Sequence, residues 1–143
     1  MFYESKTIYP GSFDPLHEGH IAIVKKALKI FDKLFVIVSV NPDKERINDI
    51  DTRFAEAKMK LKDFKNVDVL VNKNELIAEM AKKLGANFLI RSARNDTDFK
   101  YELTLAAGHN SINNDLETIL IMPDYNMIEY SSTVIRHKQK LGK

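Results

Sequence analysis

Leu34-Phe35-Val36-Ile37-Val38-Ser39-Val40 is a continuous β-favouring run, and Asn41-Pro42-Asp43 stops it. A strand with one wet face alternates apolar and polar residues. A strand apolar along its whole length is buried on both faces, as in a parallel sheet covered by helices. Upstream, Thr7-Ile8-Tyr9 reads as a short strand stopped by Pro10-Gly11, and Ile21, Val24, Leu28 and Phe31 recur at helical spacing over residues 19–31. Downstream, Asp49 can cap a helix that places Phe54, Ala57, Leu61 and Phe64 on one face. Val67-Asp68-Val69-Leu70-Val71 is the third strand. A helix over residues 74–84 turns Leu76, Ile77, Met80, Ala81 and Leu84 inward, with Gly85 as its stop. Asn87-Phe88-Leu89-Ile90 is the fourth strand, and a helix opens at Asp96 or Thr97 and runs to Ile112. Residues 116–122 form the fifth strand, closed by Pro123, and Ser131-Ser132 caps a last short helix.

This alternation predicts an α/β fold: one Rossmann-like domain over residues 1–143, with a five-stranded parallel sheet and helices on both faces. Right-handed crossovers put every strand-to-helix loop on the same edge of that sheet. Ligands of open parallel sheets bind there. The informative loops are therefore residues 10–20, 41–48, 72–75, 91–98 and 123–133.

Composition narrows the classes. The 143 residues are 44% hydrophobic and 29% charged, as in an ordinary soluble domain, with no cysteine for a disulfide or a thiolate metal site. The formal net charge is only +2, and the Lys58, Lys60, Lys62, Lys65 series looks like the wet face of a helix. Nucleic-acid binding is not expected. The longest apolar run, residues 34–40, is far shorter than the roughly 20 residues of a membrane helix. No signal peptide is visible, and a cytoplasmic protein without a membrane partner is expected. His109 and His137 read as surface residues.

The strand-end loops hold unusual chemistry. Gly11 and Ser12 follow the first strand, Gly11 letting the backbone approach a ligand, and His17 and His20 flank the start of the first helix. Helix N-termini attract anions, and a histidine cation is disfavoured there unless phosphate supplies the counter-charge. Simple capping explains the same residues. So does a metal site on Asp14-x-x-His17-x-x-His20, although no further ligand is obvious. Arg91 and Arg94 stand just before another helix start, where cations cost stability; either an anion lies between them or they pair with Asp96 and Asp98. Lys44 hangs from the loop after the second strand, and Ser131, Ser132 and Thr133 offer a plain cap or a phosphate cradle.

Tyr9-Pro10-Gly11-Ser12-Phe13-Asp14-Pro15-Leu16-His17-Glu18-Gly19-His20 resembles the H-x-G-H signature of the nucleotidyltransferase superfamily. Within it the chain is similar to the phosphopantetheine adenylyltransferase family, through Asn41-Pro42-Asp43-Lys44, Leu89-Ile90-Arg91-Ser92-Ala93-Arg94, Asp98-Phe99-Lys100-Tyr101-Glu102 and Tyr130-Ser131-Ser132-Thr133-Val134-Ile135-Arg136. The resemblance implies transfer of AMP from ATP to 4′-phosphopantetheine, giving dephospho-coenzyme A and pyrophosphate, by in-line attack without a covalent enzyme intermediate. It implies catalytic roles for His20, Lys44 and Arg91, with His20 on the α-phosphate. ATP binding is implied for Ser12, Phe13, His20, Ser92, Ala93, Arg94, Glu102, Met127, Ile128, Glu129, Tyr130, Ser131, Ser132 and Thr133. Ser12, Lys44, Ile77 and Arg91 are implied on the acceptor side, with Glu75 and Leu76 beside Ile77 along the pantetheine arm. Mg²⁺ would accompany ATP with few or no protein ligands, and the family assembles as a homo-oligomer, a hexamer.

Three departures from the family pattern stand out. Ser92 replaces a usual glycine, His17 replaces a smaller polar residue, and the chain ends soon after Arg136, which weakens the implied hexamer and feedback by coenzyme A. The competing readings are a glycerol-phosphate cytidylyltransferase, a nicotinamide-mononucleotide adenylyltransferase, a non-catalytic nucleotide-binding module, and a metal hydrolase on His17 and His20. Asp98-Phe99-Lys100-Tyr101-Glu102 argues against the first two.

Overall fold

The computed structural model describes residues 4–40, 48–124, 126 and 132–142. Among them the elements run β1 (Lys6–Gly11), α1 (Glu18–Ala27), β2 (Lys33–Ser39), α2 (Ile50–Lys60), β3 (Val67–Asn72), α3 (Ile77–Leu84), β4 (Phe88–Arg91), α4 (Asp96–Ile112), β5 (Glu117–Leu120) and α5 (Ser132–Lys140). The five strands form one parallel sheet in the order β3-β2-β1-β4-β5. The α/β class and the parallel sheet expected from the alternation are both present.

The all-apolar run of β2 does what its composition requires. Leu34, Val36 and Val38 enter a cluster with Ile23, Val24 and Ala27 of α1 and Ala57 of α2. Phe35 and Ile37 enter a second cluster with Ala78, Met80 and Ala81 of α3. Val36 and Ile37 are both fully buried, and removing each such side chain from water stabilises the fold by roughly 2 kcal/mol. The Asn113 Nδ2 at the end of α4 donates to Ala78 O at 3.0 Å, which ties α4 to α3 on this second face.

Several local expectations change. The α2 stripe includes Arg53, 1% exposed, while Phe54 is only half-buried and lies under Lys58 Nζ. Residue 53 faces the sheet because a charged group there finds backbone carbonyls to bond. The α3 helix starts at Ile77, later than expected: Asn72 bonds both the N–H and the C=O of Glu75, turning the chain before the helix and leaving Leu76 exposed. The β1 strand continues through Pro10 to Gly11, paired with Ile37 and Val38 of β2.

On its other side β1 pairs with β4 only through Thr7↔Phe88 and Ile8↔Leu89. Pro10 has no N–H to extend that ladder. The sheet thus parts where the strand order reverses direction, which is where parallel sheets admit ligands. Asp49 caps α2 by accepting from Thr52 N–H at 2.7 Å. Gly85 ends α3 at φ +71°, and an added Cβ would meet only Lys6 Nζ at 3.8 Å. Gly85→Ala therefore pays conformational strain without a clash, and urea unfolding should show a loss of about 1 kcal/mol.

Candidate active site

A cleft of about 290 Å³ opens where β1 and β4 part. Gly11, Ser12, Ser39 and Val40 line its mouth, and Arg91 and Glu102 line it beside Ile77 of α3. Leu105, Ala106 and His109 of α4 continue the wall towards Thr118 of β5. The Ser39 and Thr118 hydroxyl oxygens are buried with no hydrogen-bond partner among the described residues. Both residues belong to the cleft lining.

The residue 11–20 turn is built by mutual capping. His17 is the N-cap of α1: its Nδ1 accepts from Gly19 N–H at 3.0 Å, while the Nδ1 of His20 accepts from His17 N–H at 3.0 Å. The rings stack with centroids 3.8 Å apart. Because each Nδ1 accepts a backbone proton, the ring proton of each neutral imidazole sits on Nε2, leaving His20 with a fixed donor. Phe13 takes φ +47° and buries its ring edge-on to Tyr9 and His20, at 5.2 and 4.9 Å. Gly11 is required by that ring: a Cβ there would lie 3.1 Å from it. The Phe13 ring is thus the neighbour that a side chain at Gly11 would meet. Phe13 side-chain atoms belong to the core, so a nucleotide could meet only its backbone.

Burial, then the charges of Arg94 and Lys60, push His17 down to about 4. The imidazole is thus held neutral beside an anion-seeking helix start. Among the described residues no group of three or more histidine, aspartate or glutamate side chains is placed to hold a metal. Asp14, the third member of the metal reading, instead accepts from Asn48 Nδ2 at 2.9 Å.

The two arginines part company. Arg91 donates from Nη1 to Pro10 O at 2.6 Å and grips Glu102 through Nε and Nη2 at 2.8–3.1 Å. Burial opposes its charge, but the hydrogen bonds and charge of Glu102 outweigh burial and hold its pKa above the usual value. The carboxylate that pairs with Arg91 is therefore Glu102, one helical layer deeper than Asp96 or Asp98. Arg94 does pair with Asp98, at 3.1 Å, stays outside the cleft lining and acts on His17 electrostatically. Ser92 is half-buried and Ala93 is buried.

Ile77 lines the cleft, whereas Glu75 pairs with Lys83 and Leu76 faces outward. Ser132 and Thr133 open α5, their side chains outside the described part. Lys44 and Met127, Ile128, Glu129, Tyr130 and Ser131 lie outside the described residues.

His137 is exposed, but His109 is not the surface residue expected: it is half-buried in the cleft wall, and burial, then Arg91, lower its pKa. Glu102, Leu105, Ala106 and His109 recur at helical spacing, and that stripe was the available signal for the cleft wall.

Two measurements test this geometry. Glu102→Gln strands a largely buried guanidinium and should cost about 3 kcal/mol in urea unfolding. His17 is neutral when folded and takes a proton near pH 6.5 when unfolded, so the unfolded chain binds more protons below that pH. Its contribution is fully present above pH 6.5 and is lost as the pH falls towards 4; His17→Asn, which keeps a cap acceptor, should flatten that part of the stability–pH curve.

Comparison with known proteins agrees with this architecture. A family model described as cytidylyltransferase-like matches residues 8–138. A phosphopantetheine adenylyltransferase of Mycoplasma mycoides is 43% identical over 129 residues, 90% of this chain and 92% of the relative. One of Streptococcus pneumoniae is 35% identical over 136 residues, 95% of this chain and 84% of the relative. The crystal structure of a lipopolysaccharide core biosynthesis protein from Thermoplasma volcanium superposes with a TM-score of 0.60 at 21% identity, over 85% of this chain and 98% of that one, a likeness of fold. With its parallel sheet, its H-x-G-H turn and identities of this order along nearly its whole length, the chain belongs to the phosphopantetheine adenylyltransferase family of cytidylyltransferase-like proteins.

Proposed function

We propose that the chain transfers AMP from ATP to 4′-phosphopantetheine. A phosphate oxygen of the acceptor attacks the α-phosphorus of ATP in line. The bond from that phosphorus to the bridging oxygen breaks, and pyrophosphate leaves with the electron pair as dephospho-coenzyme A forms. The observation that carries this reading is the make-up of the cleft lining, which joins Ser12 and Arg91 to the apolar Ile77, Leu105 and Ala106. A phosphate carried on a longer, partly apolar arm matches that lining better than glycerol phosphate does.

Catalysis on this reading is positioning plus charge stabilisation, with no covalent intermediate. His20 offers its Nε2–H to an α-phosphate oxygen, and the His17 N–H on its Nδ1 keeps the donor in place. Ser12 and Lys44 hold the phosphates where the substrates meet. Arg91 takes the acceptor phosphate and Glu102 fixes its fork, while Arg94 takes phosphates of ATP. Ser92, Ala93 and residues 127–133 are assigned to the nucleotide. Mg²⁺ would travel with ATP on its phosphate oxygens and neutralise part of their charge, a fit consistent with Asp14 being already bonded by Asn48. We also propose a cytoplasmic location and a homo-oligomer, the second supported by Phe99 and Leu103 standing 48% and 62% exposed one turn apart on α4.

Pyrophosphate release, measured with paired acceptors and nucleotides, tests the reading. Turnover is expected with 4′-phosphopantetheine and ATP, and turnover only with glycerol phosphate and CTP would overturn it. His20→Ala should lower kcat by about 100-fold while ATP still binds, the usual scale for losing one transition-state donor.

A further inference from the structure

Three carbonyl oxygens of the residue 11–20 turn are held by cations carried on other elements, none of which lines the cleft. Arg53 Nη1 donates to Ser12 O at 2.6 Å and also to Ser39 O at 3.1 Å. Arg136 Nη1 donates to Asp14 O at 2.6 Å, and Lys60 Nζ donates to Leu16 O at 2.7 Å. The bonded carbonyls belong to alternate residues, 12, 14 and 16, and Arg53 and Lys60 come from one face of α2, two turns apart. Arg53 is 1% exposed.

A carbonyl oxygen is the negative end of its peptide dipole, and one aimed at a polyphosphate repels it. A charged donor behind the turn draws that oxygen away through a strong hydrogen bond and adds positive potential on the ligand side. The division of labour is physical: His17 and His20 occupy N–H groups of the turn, and the cations occupy its C=O groups. Stability alone is a poor reason for burying an arginine, because desolvation consumes most of what the charge gains. The Asp14 carboxylate itself is held by the neutral Asn48 Nδ2 at 2.9 Å and lies 3.9 Å from Arg136 Nη1. Arg53 also bridges β1 to β2 one step past their last ladder pair, Gly11↔Val38, and so sets the spacing of two residues that line the cleft mouth.

We propose that Arg53, Lys60 and Arg136 form a cationic clamp on the back of the turn, positioning residues that shape it for polyphosphate. The clamp rests on the adenylyl-transfer reading only for the identity of that polyphosphate.

The test uses the full chain and inorganic pyrophosphate as a probe, with binding read by calorimetry and KM for ATP and for 4′-phosphopantetheine read separately. Lys60 is exposed, so Lys60→Met should fold as the wild type does. It should raise the Kd for pyrophosphate and the KM for ATP about fivefold, leave the acceptor KM within about twofold, and be rescued by Lys60→Arg. Arg53→Lys, which keeps the charge on a compact ammonium that lacks the reach of Nη1 to Ser12 O and Ser39 O, should raise the same two constants about tenfold. Wild-type pyrophosphate binding in folded Lys60→Met and Arg53→Lys would overturn the clamp, as would ATP and acceptor KM rising together with a lowered Tm. If the wild type binds pyrophosphate and the variants lose it, yet the wild type transfers no adenylyl group, the clamp stands and the proposed function fails.

Discussion

Past Ile8 and Leu89 the hydrogen-bond ladder between β1 and β4 stops, and the rest of the site follows from that break. Pro10 cannot donate, so its strand holds β2 on one side and opens on the other. Arg91 fills the gap by donating to Pro10 O, and the same guanidinium is gripped by Glu102 from α4. One side chain thus replaces a missing ladder bond, docks α4 and places a guanidinium, paired with Glu102, in the cleft lining. A shorter or singly forked cation could not satisfy all three demands at once.

Charge in this site is managed by committing donors and acceptors before any ligand arrives. The histidine pair has its Nδ1 atoms used by backbone N–H groups, which settles the tautomers. Burial together with Arg94 and Lys60 keeps His17 neutral, so no imidazolium is set against the positive end of the α1 dipole. The carbonyls of the turn are occupied from α2 and α5, and its most strained residue, Phe13, is locked by packing against Tyr9 and His20. Polar groups fixed before a ligand arrives are what electrostatic stabilisation in catalysis requires.

What could be read without coordinates was what depends on local pattern. Leu34 to Val40 announced a doubly covered strand by lacking alternation, and Asp49 and Gly85 announced a helix start and stop by their own backbone chemistry. Readings that depended on a partner far along the chain went astray. Arg53 was absent from the face assigned to Phe54, Ala57, Leu61 and Phe64 because its carbonyl partners, Ser12 and Ser39, lie 41 and 14 residues away. Arg91 invited pairing with its neighbours Asp96 and Asp98, but Glu102 sits on the inward face of α4 and they do not. His109 was lost among surface residues because the stripe it shares with Glu102, Leu105 and Ala106 is only partly apolar and competes with exposed Phe99 and Leu103 on other sides of α4.

The amino-acid sequence by itself determined the order of strands and helices, the parallel sheet and the turn on which phosphate chemistry centres. These follow from periodicity, from backbone preferences of glycine, proline and capping residues, and from a contiguous motif. Only the tertiary structure decided where the sheet opens, which carboxylate holds Arg91, which faces of α2 and α4 turn inward and which cations stand behind the turn. The reason is that a charged side chain chooses its partner by distance and desolvation, and both are properties of the folded chain.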